Sequence, residues 1–385
     1  MKNKVKYIFF IMFCVVAMFN TMNVAAKTKS KTVVGTRIKN IKQDIEGKEQ
    51  YIGCNLPECY LHGGKKKKYN DTPCASGADL RQICVKTVDE NGIEAWKTLE
   101  ELQFKSMQGG CIDGKNLLIA FTDGRRHKKG DLTALVKINL KQAKVIKVSI
   151  VRGARELNIS TMGHSNDFTL LDGYYYGTWY QEHGKDHYTN KIGNISKTLS
   201  GKGKIGSIEK GNKGISAFGI ATLNKKLFLG IRQQNKKIKR CIGTYSVSKN
   251  KKIYKRNGNP FTLAKNNTYS VPQCMEIYKK QIYIVRFNKE QPQKKDKYVH
   301  NNYIETYSLS GRVVGGYVVK NPLKNVYQQM DNGKLVESTR DLKTHKWEIE
   351  CLAHYKGNTF YYTMYKPSAN EKLGKQAYLY KVKLK

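Results

Sequence analysis

The chain has 385 residues and carries 70 Lys and Arg against 30 Asp and Glu, a formal net charge of +40. A field of that sign attracts polyanions, although it does not bear on the fold. Few stretches follow the 3.6-residue period of an amphipathic helix, which argues against a helical fold. The elements below are therefore read as strands and turns.

Residues 1–26 are predicted to be a secretory signal peptide. A basic start precedes the apolar run IFFIMFCVVAMF (8–19), and small residues follow it. A basic segment, a 12-residue apolar segment and an A-x-A-like end are typical of such peptides. The run is shorter than the ~20 residues that a membrane span requires. We expect a secreted or cell-surface protein without stable membrane insertion after cleavage; an uncleaved anchor is the alternative.

Removal of residues 1–26 takes away three lysines and leaves 67 basic against 30 acidic residues, a net charge of +37. Outside a bacterial cell, the expected partner is an anionic cell-wall polymer or glycan, and nucleic acid would bind without specificity. The lysine tip formed by Lys65, Lys66, Lys67 and Lys68 is a candidate anion-binding loop. A genome biased toward lysine codons is the other explanation of this charge.

Eight cysteines remain after removal of the signal peptide, an even number that permits disulfides in an exported chain. Cys54, Cys59, Cys74 and Cys84 lie close together, and we predict at least one bridge among them. No C-x-x-C occurs, so neither a zinc ribbon nor a thioredoxin-type centre is indicated. Three others are predicted to be small buried hydrophobes: Cys111, Cys274 and Cys351.

A unit of about fifty residues recurs along the chain. A tight polar turn followed by an aromatic or β-branched strand appears five times, at spacings of 57, 52, 56 and 77 residues. An alternating strand, a turn and another strand follow, as in TYSVS (244–248) and TYSLS (306–310). Four short strands per repeat predict an all-β fold, a β-propeller. A β-sandwich or β-helix is the alternative.

We predict six blades of four short antiparallel strands, the first within residues 50–99, or five blades if that weak unit is not one. The predicted organisation is a signal peptide (1–26), an N-terminal segment (27–49) and a propeller (50–385) with an insertion at 321–346. The last unit has three clear strands, so a strand from residues 33–40 is expected to complete it and to close the ring.

The motifs QGGCIDGK (108–115) and GHSNDF (163–168) lie one blade apart. With them the chain is similar to a family of uncharacterised secreted proteins of Gram-positive anaerobic bacteria, which carry QGGC-x-DG and GHAND-like motifs. The resemblance covers residues 105–385; Ser165 replaces the usual Ala and Phe168 the usual Met or Leu. It implies a propeller and says little about activity.

In a propeller, the first strand of each blade lines the axis, so the GHSND segment is expected at the mouth of a central channel. Polar residues at matching positions of the blades are expected to converge there as a ligand-binding site. The predicted set is Gln108, His164, Asn166, Asp167, Gln273, Glu276 and Glu350.

Three interpretations of this set remain open. The first is structural, with Asp167 accepting backbone N–H groups. The second is a binding pocket for a sugar or phosphate group. The third is catalytic, with Asp167, Glu276 and Glu350 as candidate carboxyls for glycoside hydrolysis, which needs two carboxyls about 5–9 Å apart.

No sialidase-type box, G-x-S-x-G elbow, H-E-x-x-H helix or P-loop occurs in a fitting context, so no other enzyme class is indicated. His183 and His187 lie in an inter-strand loop, where residues four apart do not converge on a metal. We predict a monomeric binding or scaffold module without cofactor or metal; a glycan-cleaving propeller is the alternative.

Overall fold

The computed structural model describes sixteen segments of the chain, and every statement on structure below concerns them alone: residues 30–38, 41–43, 80–88, 94–122, 133–151, 162–179, 190–199, 203–209, 215–235, 237–263, 270–288, 301–319, 327–331, 334–338, 348–366 and 376–385. Their regular elements are β-strands and one turn of 3-10 helix, Leu80–Gln82. No helix of the described segments has the length and apolar character needed to cross a membrane.

The described strands are short and are numbered in chain order. They are β1 Ser30–Val33, β2 Thr36–Arg37, β3 Lys42–Gln43, β4 Cys84–Val88, β5 Glu94–Thr98, β6 Ser106–Asp113, β7 Asn116–Thr122, β8 Thr133–Asn139, β9 Lys144–Val151, β10 Phe168–Leu171, β11 Tyr174–Trp179, β12 Lys191–Ser196, β13 Lys204–Ile208, β14 Ile215–Leu223, β15 Lys226–Asn235, β16 Lys237–Val247, β17 Ile253–Thr262, β18 Ser270–Tyr278, β19 Gln281–Asn288, β20 Asn301–Ser308, β21 Val313–Val319, β22 Tyr327–Asp331, β23 Lys334–Ser338, β24 Glu348–Lys356, β25 Thr359–Lys366 and β26 Gln376–Lys383.

Most strands belong to five antiparallel units of four strands, here called blades 1 to 5. Blade 1 is β6–β9, blade 2 β10–β13, blade 3 β14–β17 and blade 4 β18–β21. Blade 5 contains β24, β25 and β26, with β2 as its fourth strand. The fourth strands of blades 2 and 3 also pair with each other in parallel, which joins these two blades into one eight-stranded sheet.

The first strands of the five blades form a closed cycle. Each contacts the next in the order β6, β10, β14, β18 and β24, and β24 contacts β6. Four-stranded units around a common axis are the arrangement of a β-propeller. The prediction of six blades is not confirmed: the described part of residues 50–99 adds only the β4–β5 hairpin, which lies outside the cycle.

Five hydrophobic clusters fill the spaces between neighbouring blades. Strands alternate their side chains between two faces, and both faces of a blade are covered by other blades. One representative cluster joins Phe228 and Ile242 of blade 3 to Ile282 and Ile284 of blade 4. The cluster between blades 5 and 1 also takes in residues of the β4–β5 hairpin region, so this hairpin packs against the propeller.

The N-terminal segment runs along the outer edges of three blades. β2 pairs antiparallel with β26, with Thr36 opposite Lys381 and Arg37 opposite Tyr380. It is the outer strand expected from residues 33–40. β1 adds a fifth strand to blade 4, and β3 adds one to blade 1, both in parallel. The segment therefore connects blade 5, where the ring ends in the chain, to blade 1, where it begins, and also contacts blade 4.

The described cysteines fall into two groups. Cys84 is disulfide-bonded, and its partner lies outside the described residues. Four cysteines are free and buried: Cys111, Cys241, Cys274 and Cys351. The prediction that Cys111, Cys274 and Cys351 are buried thiols is therefore confirmed. Within the predicted insertion at 321–346, the described residues form the β22–β23 hairpin.

Candidate functional site

The first strand of each blade begins at the same face of the propeller, here called the upper face. In four blades the pairing between the first and second strands is interrupted near this face by a β-bulge. The interruptions lie between Met107 and Gly110, Ala217 and Gly219, Pro272 and Cys274, and Ile349 and Cys351.

In blades 1, 3, 4 and 5 the bulge contains a residue of the first strand, and Asn166 occupies the matching position in blade 2, which has no bulge. Counted back from the last residue of the first strand, this position is five residues earlier in blades 1 to 4. It is six residues earlier in blade 5, where a second bulge follows His354. The five residues, here called the bulge ring, are Gln108, Asn166, Phe218, Gln273 and Glu350.

Four of the five side chains in the bulge ring are polar. Gln108 and Glu350 are buried, whereas Asn166 and Gln273 are half-buried. Phe218 is the member that the sequence analysis omitted from its predicted set. Its position five residues before the end of β14 is the signal that identifies it.

Asp167 lies one residue below the bulge ring and is almost fully buried. Its Oδ2 accepts hydrogen bonds from the backbone N–H groups of Ile220 and Met275, both at 2.8 Å, and its Oδ1 accepts one from Phe168 at 2.9 Å. One carboxylate thus links blade 2 to blades 3 and 4. The structural interpretation of this residue, acceptance of backbone N–H groups, is what the geometry shows.

Burial raises the pKa of Asp167 well above its ordinary value, against the opposing effect of the three N–H donors. The carboxylate therefore lies in a region from which water is largely excluded. Both of its oxygens are already engaged by backbone groups, which leaves little capacity for a substrate.

Glu276 makes the corresponding link between blades 4 and 5. Its Oε2 accepts a hydrogen bond from the backbone N–H of His354 at 2.9 Å, and its Oε1 accepts one from Ile277 at 2.8 Å. Burial raises the pKa of Glu276 to about 7, and the two backbone donors lower it in part. Glu276 is thus poised to change charge near neutral pH.

The two sequence motifs contact each other at the boundary between blades 1 and 2. The N–H of Gly109 donates to the carbonyl oxygen of Ser165 at 3.0 Å. A Cβ added to Gly109 would lie 2.4 Å from the Cα of Asp167 and 2.5 Å from the carbonyl oxygen of Asn166. Glycine at this position is therefore required by the close approach of the two backbones.

Three cysteines follow the bulge ring along the first strands of blades 1, 4 and 5. Cys111, Cys274 and Cys351 are buried there, and burial raises the pKa of each thiol well above its ordinary value. The negative charges of Asp167 and Glu276 raise the pKa of Cys111 and Cys351 further. These thiols are therefore shielded from water, whereas Asn166 and Gln273 of the bulge ring are partly open to it.

The remaining predicted residues divide into two groups. His164 is half-buried in the turn that precedes Asn166, two residues from the bulge ring. The lysine tip, Lys65–Lys68, lies outside the described residues, as do His183 and His187. Within the described part of the chain, no group of three or more His, Cys, Asp or Glu residues is arranged to hold a metal ion.

No protein family model matches the chain, and no curated protein sequence matches it. Among solved structures it is similar to the Bacteroides ovatus xyloglucan PUL GH43B, with 12% identity, a TM-score of 0.43 and coverage of 71% of this chain and 51% of that one. It is also similar to a xylan β-1,4-xylosidase from Bacillus halodurans, with 11% identity, a TM-score of 0.45 and coverage of 72% and 52%.

A third similar structure is the Trypanosoma rangeli sialidase in complex with the inhibitor DANA, with 8% identity, a TM-score of 0.41 and coverage of 79% of this chain and 58% of that one. The chain spans about half the length of the Bacteroides and Bacillus structures. All three TM-scores are below 0.5, so these likenesses carry no argument about the activity of this chain.

Proposed function

We propose that this protein is a secreted, strongly basic five-bladed propeller that binds an anionic polymer or glycan at the bacterial surface. The bulge ring at the upper face is its binding site, and the deeper carboxylates hold the blades together. We also propose membership of the uncharacterised secreted family that the QGGC and GHSND motifs resemble.

The observation that carries this proposal is a difference in hydrogen bonding between two levels of the axis. At the lower level, Asp167 and Glu276 use all four carboxylate oxygens to accept backbone N–H groups. At the upper level, Asn166 and Gln273 have half-buried amide groups and Gln108 has a buried one, and amides both donate and accept hydrogen bonds. Amides around a common axis suit the hydroxyl and ether oxygens of a glycan.

The net charge of +40 supports an anionic partner. A polyanion that neutralises such a surface releases condensed counterions, so the logarithm of its binding constant falls linearly with the logarithm of the salt concentration. Binding that combines this long-range attraction with a small polar site near the axis would favour charged glycans over neutral ones.

The mature chain should therefore be retained on a column of wall polymer or heparin at low salt. It should be released near ~0.5 M salt, where the screening length is about 4 Å. Replacement of Lys65–Lys68 by serine should reduce the salt dependence if the lysine tip contributes. Flow-through of the intact protein at low salt would refute the anionic partner.

The bulge ring is tested separately with Gln273→Ala, which should weaken glycan binding without lowering the melting temperature. The matched control is Gln142→Ala, because Gln142 is exposed in the β8–β9 turn. Equal glycan binding by Gln273→Ala and Gln142→Ala would show that the bulge ring is not the binding site.

One observation favours the alternative, a glycan-cleaving enzyme. Because burial raises the pKa of Glu276 to about 7, this residue can hold a proton near neutral pH, as a general acid must. Glu350 in the bulge ring would be the second carboxyl. Release of reducing ends from a glycan panel by the purified protein, abolished in Glu350→Gln at unchanged melting temperature, would establish the enzyme.

A further inference from the structure

A cluster of three arginines lies between blades 3 and 4 near the upper face. In blade 3, Arg232 of β15 stands directly opposite Arg240 of β16. Both share a strand face with Phe228 and Ile242, which pack against blade 4. In blade 4, Arg286 of β19 occupies the face that packs against blade 3, because it is two residues from Ile284.

The carboxylate of Glu305 acts on two of the three guanidinium groups, those of Arg286 and Arg240. Glu305 forms an ion pair with the Nε of Arg286 and accepts the hydroxyl hydrogen of Tyr307 at 2.7 Å. Arg286 also donates from Nη2 to the Tyr307 hydroxyl at 3.1 Å. Arg286 is only 2% exposed, so its charge is neutralised in place.

Arg240, unlike Arg286, has no ion pair among the described residues. Its pKa is lowered, first by burial and then by the positive charges of Arg286 and Arg232. Its buried Nε has no hydrogen-bond partner in the described part of the chain. Directly opposite like charges on neighbouring strands destabilise a sheet, since their Cβ atoms are only about 5 Å apart.

Arg232 and Arg240 are nevertheless half-buried, so they are partly open to solvent. The ring of Phe218, the apolar member of the bulge ring, lies against Gly230, two residues before Arg232. The arginine cluster is thus separated from the bulge ring by the side chain of Phe218 and the backbone near Gly230.

We propose that Arg232 and Arg240, which lie beside the buried Arg286, form a binding site for a tetrahedral oxyanion, a phosphate or sulfate group, carried by the polymer that the bulge ring holds. Guanidinium groups present planar forks of N–H donors that match such oxyanions and bind them strongly when partly desolvated. A doubly charged oxyanion would offer acceptors to Arg240 and would offset the like-charge repulsion between Arg232 and Arg240, which stand opposite each other. This site extends the proposed function. Binding of free phosphate or sulfate does not depend on the proposed function, whereas binding of a polymer that carries such a group does.

The site is tested first with inorganic phosphate and inorganic sulfate, by isothermal titration calorimetry at constant ionic strength. We expect saturable binding to the wild-type protein, weakened at least about tenfold, ~1.4 kcal/mol, in Arg240→Gln. Arg240→Lys should recover part of the affinity, because it restores the charge without the fork. The matched control is Arg312→Gln, since Arg312 is exposed in the turn between β20 and β21.

Arg286 is avoided as a variant because its burial makes misfolding the expected result. Absence of saturable phosphate or sulfate binding to the wild-type protein would overturn the site, as would equal binding by Arg240→Gln and the wild type. Equal retention of a polymer by Arg240→Gln and by the wild type would show that the arginine site takes no part in polymer binding.

The two proposals can fail independently. If the wild type binds a wall polymer but neither phosphate nor sulfate, the proposed function stands and the arginine site does not. If it binds phosphate and no polymer, the arginine site stands and the proposed function does not. A phosphate-bearing and a sulfate-bearing polymer, compared at equal charge density, identify which oxyanion is the physiological group.

Discussion

The carboxylate of Asp167 accepts a hydrogen bond from the backbone N–H of Met275, 108 residues further along the chain, at 2.8 Å. The same Oδ2 atom accepts another from Ile220, so residues of three blades meet at one oxygen. A blade of a propeller is stabilised mainly by its neighbours, and this contact fixes the inner edges of three of them at the axis.

The first prediction concerns this link. Asp167→Asn replaces one acceptor oxygen by an amide that points N–H groups at backbone N–H groups, so at least one donor is left unsatisfied in the core. We expect a loss of about 2 kcal/mol or more in the free energy of unfolding, measured by urea denaturation. Asp172→Asn, in the exposed turn after β10, should change it by less than ~0.5 kcal/mol. Equal stability of the two variants would contradict the structural role of Asp167.

The second prediction concerns pH. The pKa of Glu276 is about 7 in the folded protein against an ordinary value of 4.5, so the folded state holds the proton more tightly than the unfolded state. The resulting stability is fully present below about 4.5 and is lost as the pH rises through about 7. The pKa of Asp167 is raised by burial and acts in the same direction.

Glu276→Gln cannot titrate, so its melting temperature should fall less than that of the wild type between pH 5 and pH 7.5. The comparison is made at constant ionic strength, because the large positive charge of the chain gives both proteins a common background dependence on pH. Parallel curves for the two proteins would mean that the Glu276 pKa is not raised by folding.

The third prediction concerns the N-terminal segment. A Cβ on Gly35 would lie 2.3 Å from the hydroxyl oxygen of Tyr362, whose ring is stacked on Tyr380 at 5.1 Å between centroids. Gly35→Val should therefore displace β2 from blade 5 and lower stability by about 1–3 kcal/mol, the usual effect of overpacking. Val34→Thr is the control, since Val34 is 59% exposed.

Limited trypsin digestion gives an independent measurement of the same effect. Cleavage near Arg37 should be much faster in Gly35→Val than in Val34→Thr, because β2 is protected only while it pairs with β26. Equal rates of cleavage would show that β2 does not depend on the contact with Tyr362.

The fourth prediction concerns thiols. Native protein should react slowly with a maleimide at its four described free cysteines, all of which are buried, and rapidly after denaturation. Mass spectrometry under non-reducing conditions should find Cys84 joined to Cys54, Cys59 or Cys74. Cys84→Ser should cost about 2–4 kcal/mol of stability by releasing this staple. A free Cys84 thiol in the secreted protein would contradict the bridge.

Much of the architecture followed from local pattern. Turn residues ahead of aromatic strands, repeated at about fifty residues, predicted the all-β fold, and in the structure these turns join the first strand to the second strand in blades 1 to 5. The missing fourth strand of the last unit predicted an outer strand from residues 33–40, and β2 pairs there. Hairpins and strand alternation are set by neighbours in the chain, which is why sequence pattern reports them.

The number of blades did not follow in the same way. Strands β4 and β5 pair as two strands of a blade do, and the weak repeat unit at 50–99 to which they belong is the basis of the prediction of six blades. Whether a unit joins the ring depends on which inner strands meet across the axis. Which inner strands meet depends on the twist of the sheets and on the packing between them. In the structure β24 of blade 5 contacts β6 of blade 1, so the β4–β5 hairpin does not lie between these two blades.

The sequence by itself determined the kinds of residue at the axis, since the polar set and the buried cysteines could be read from matching positions in successive repeats. Only the tertiary structure decided their roles. Asn166 and Asp167 are adjacent in the chain but differ in their surroundings, because Asn166 lies in the bulge ring whereas Asp167 accepts hydrogen bonds from the backbone of two other blades. Likewise, Arg232, Arg240 and Arg286 are unremarkable in sequence. They form a cluster because strand alternation and the packing of blade 3 on blade 4 bring distant residues onto facing surfaces.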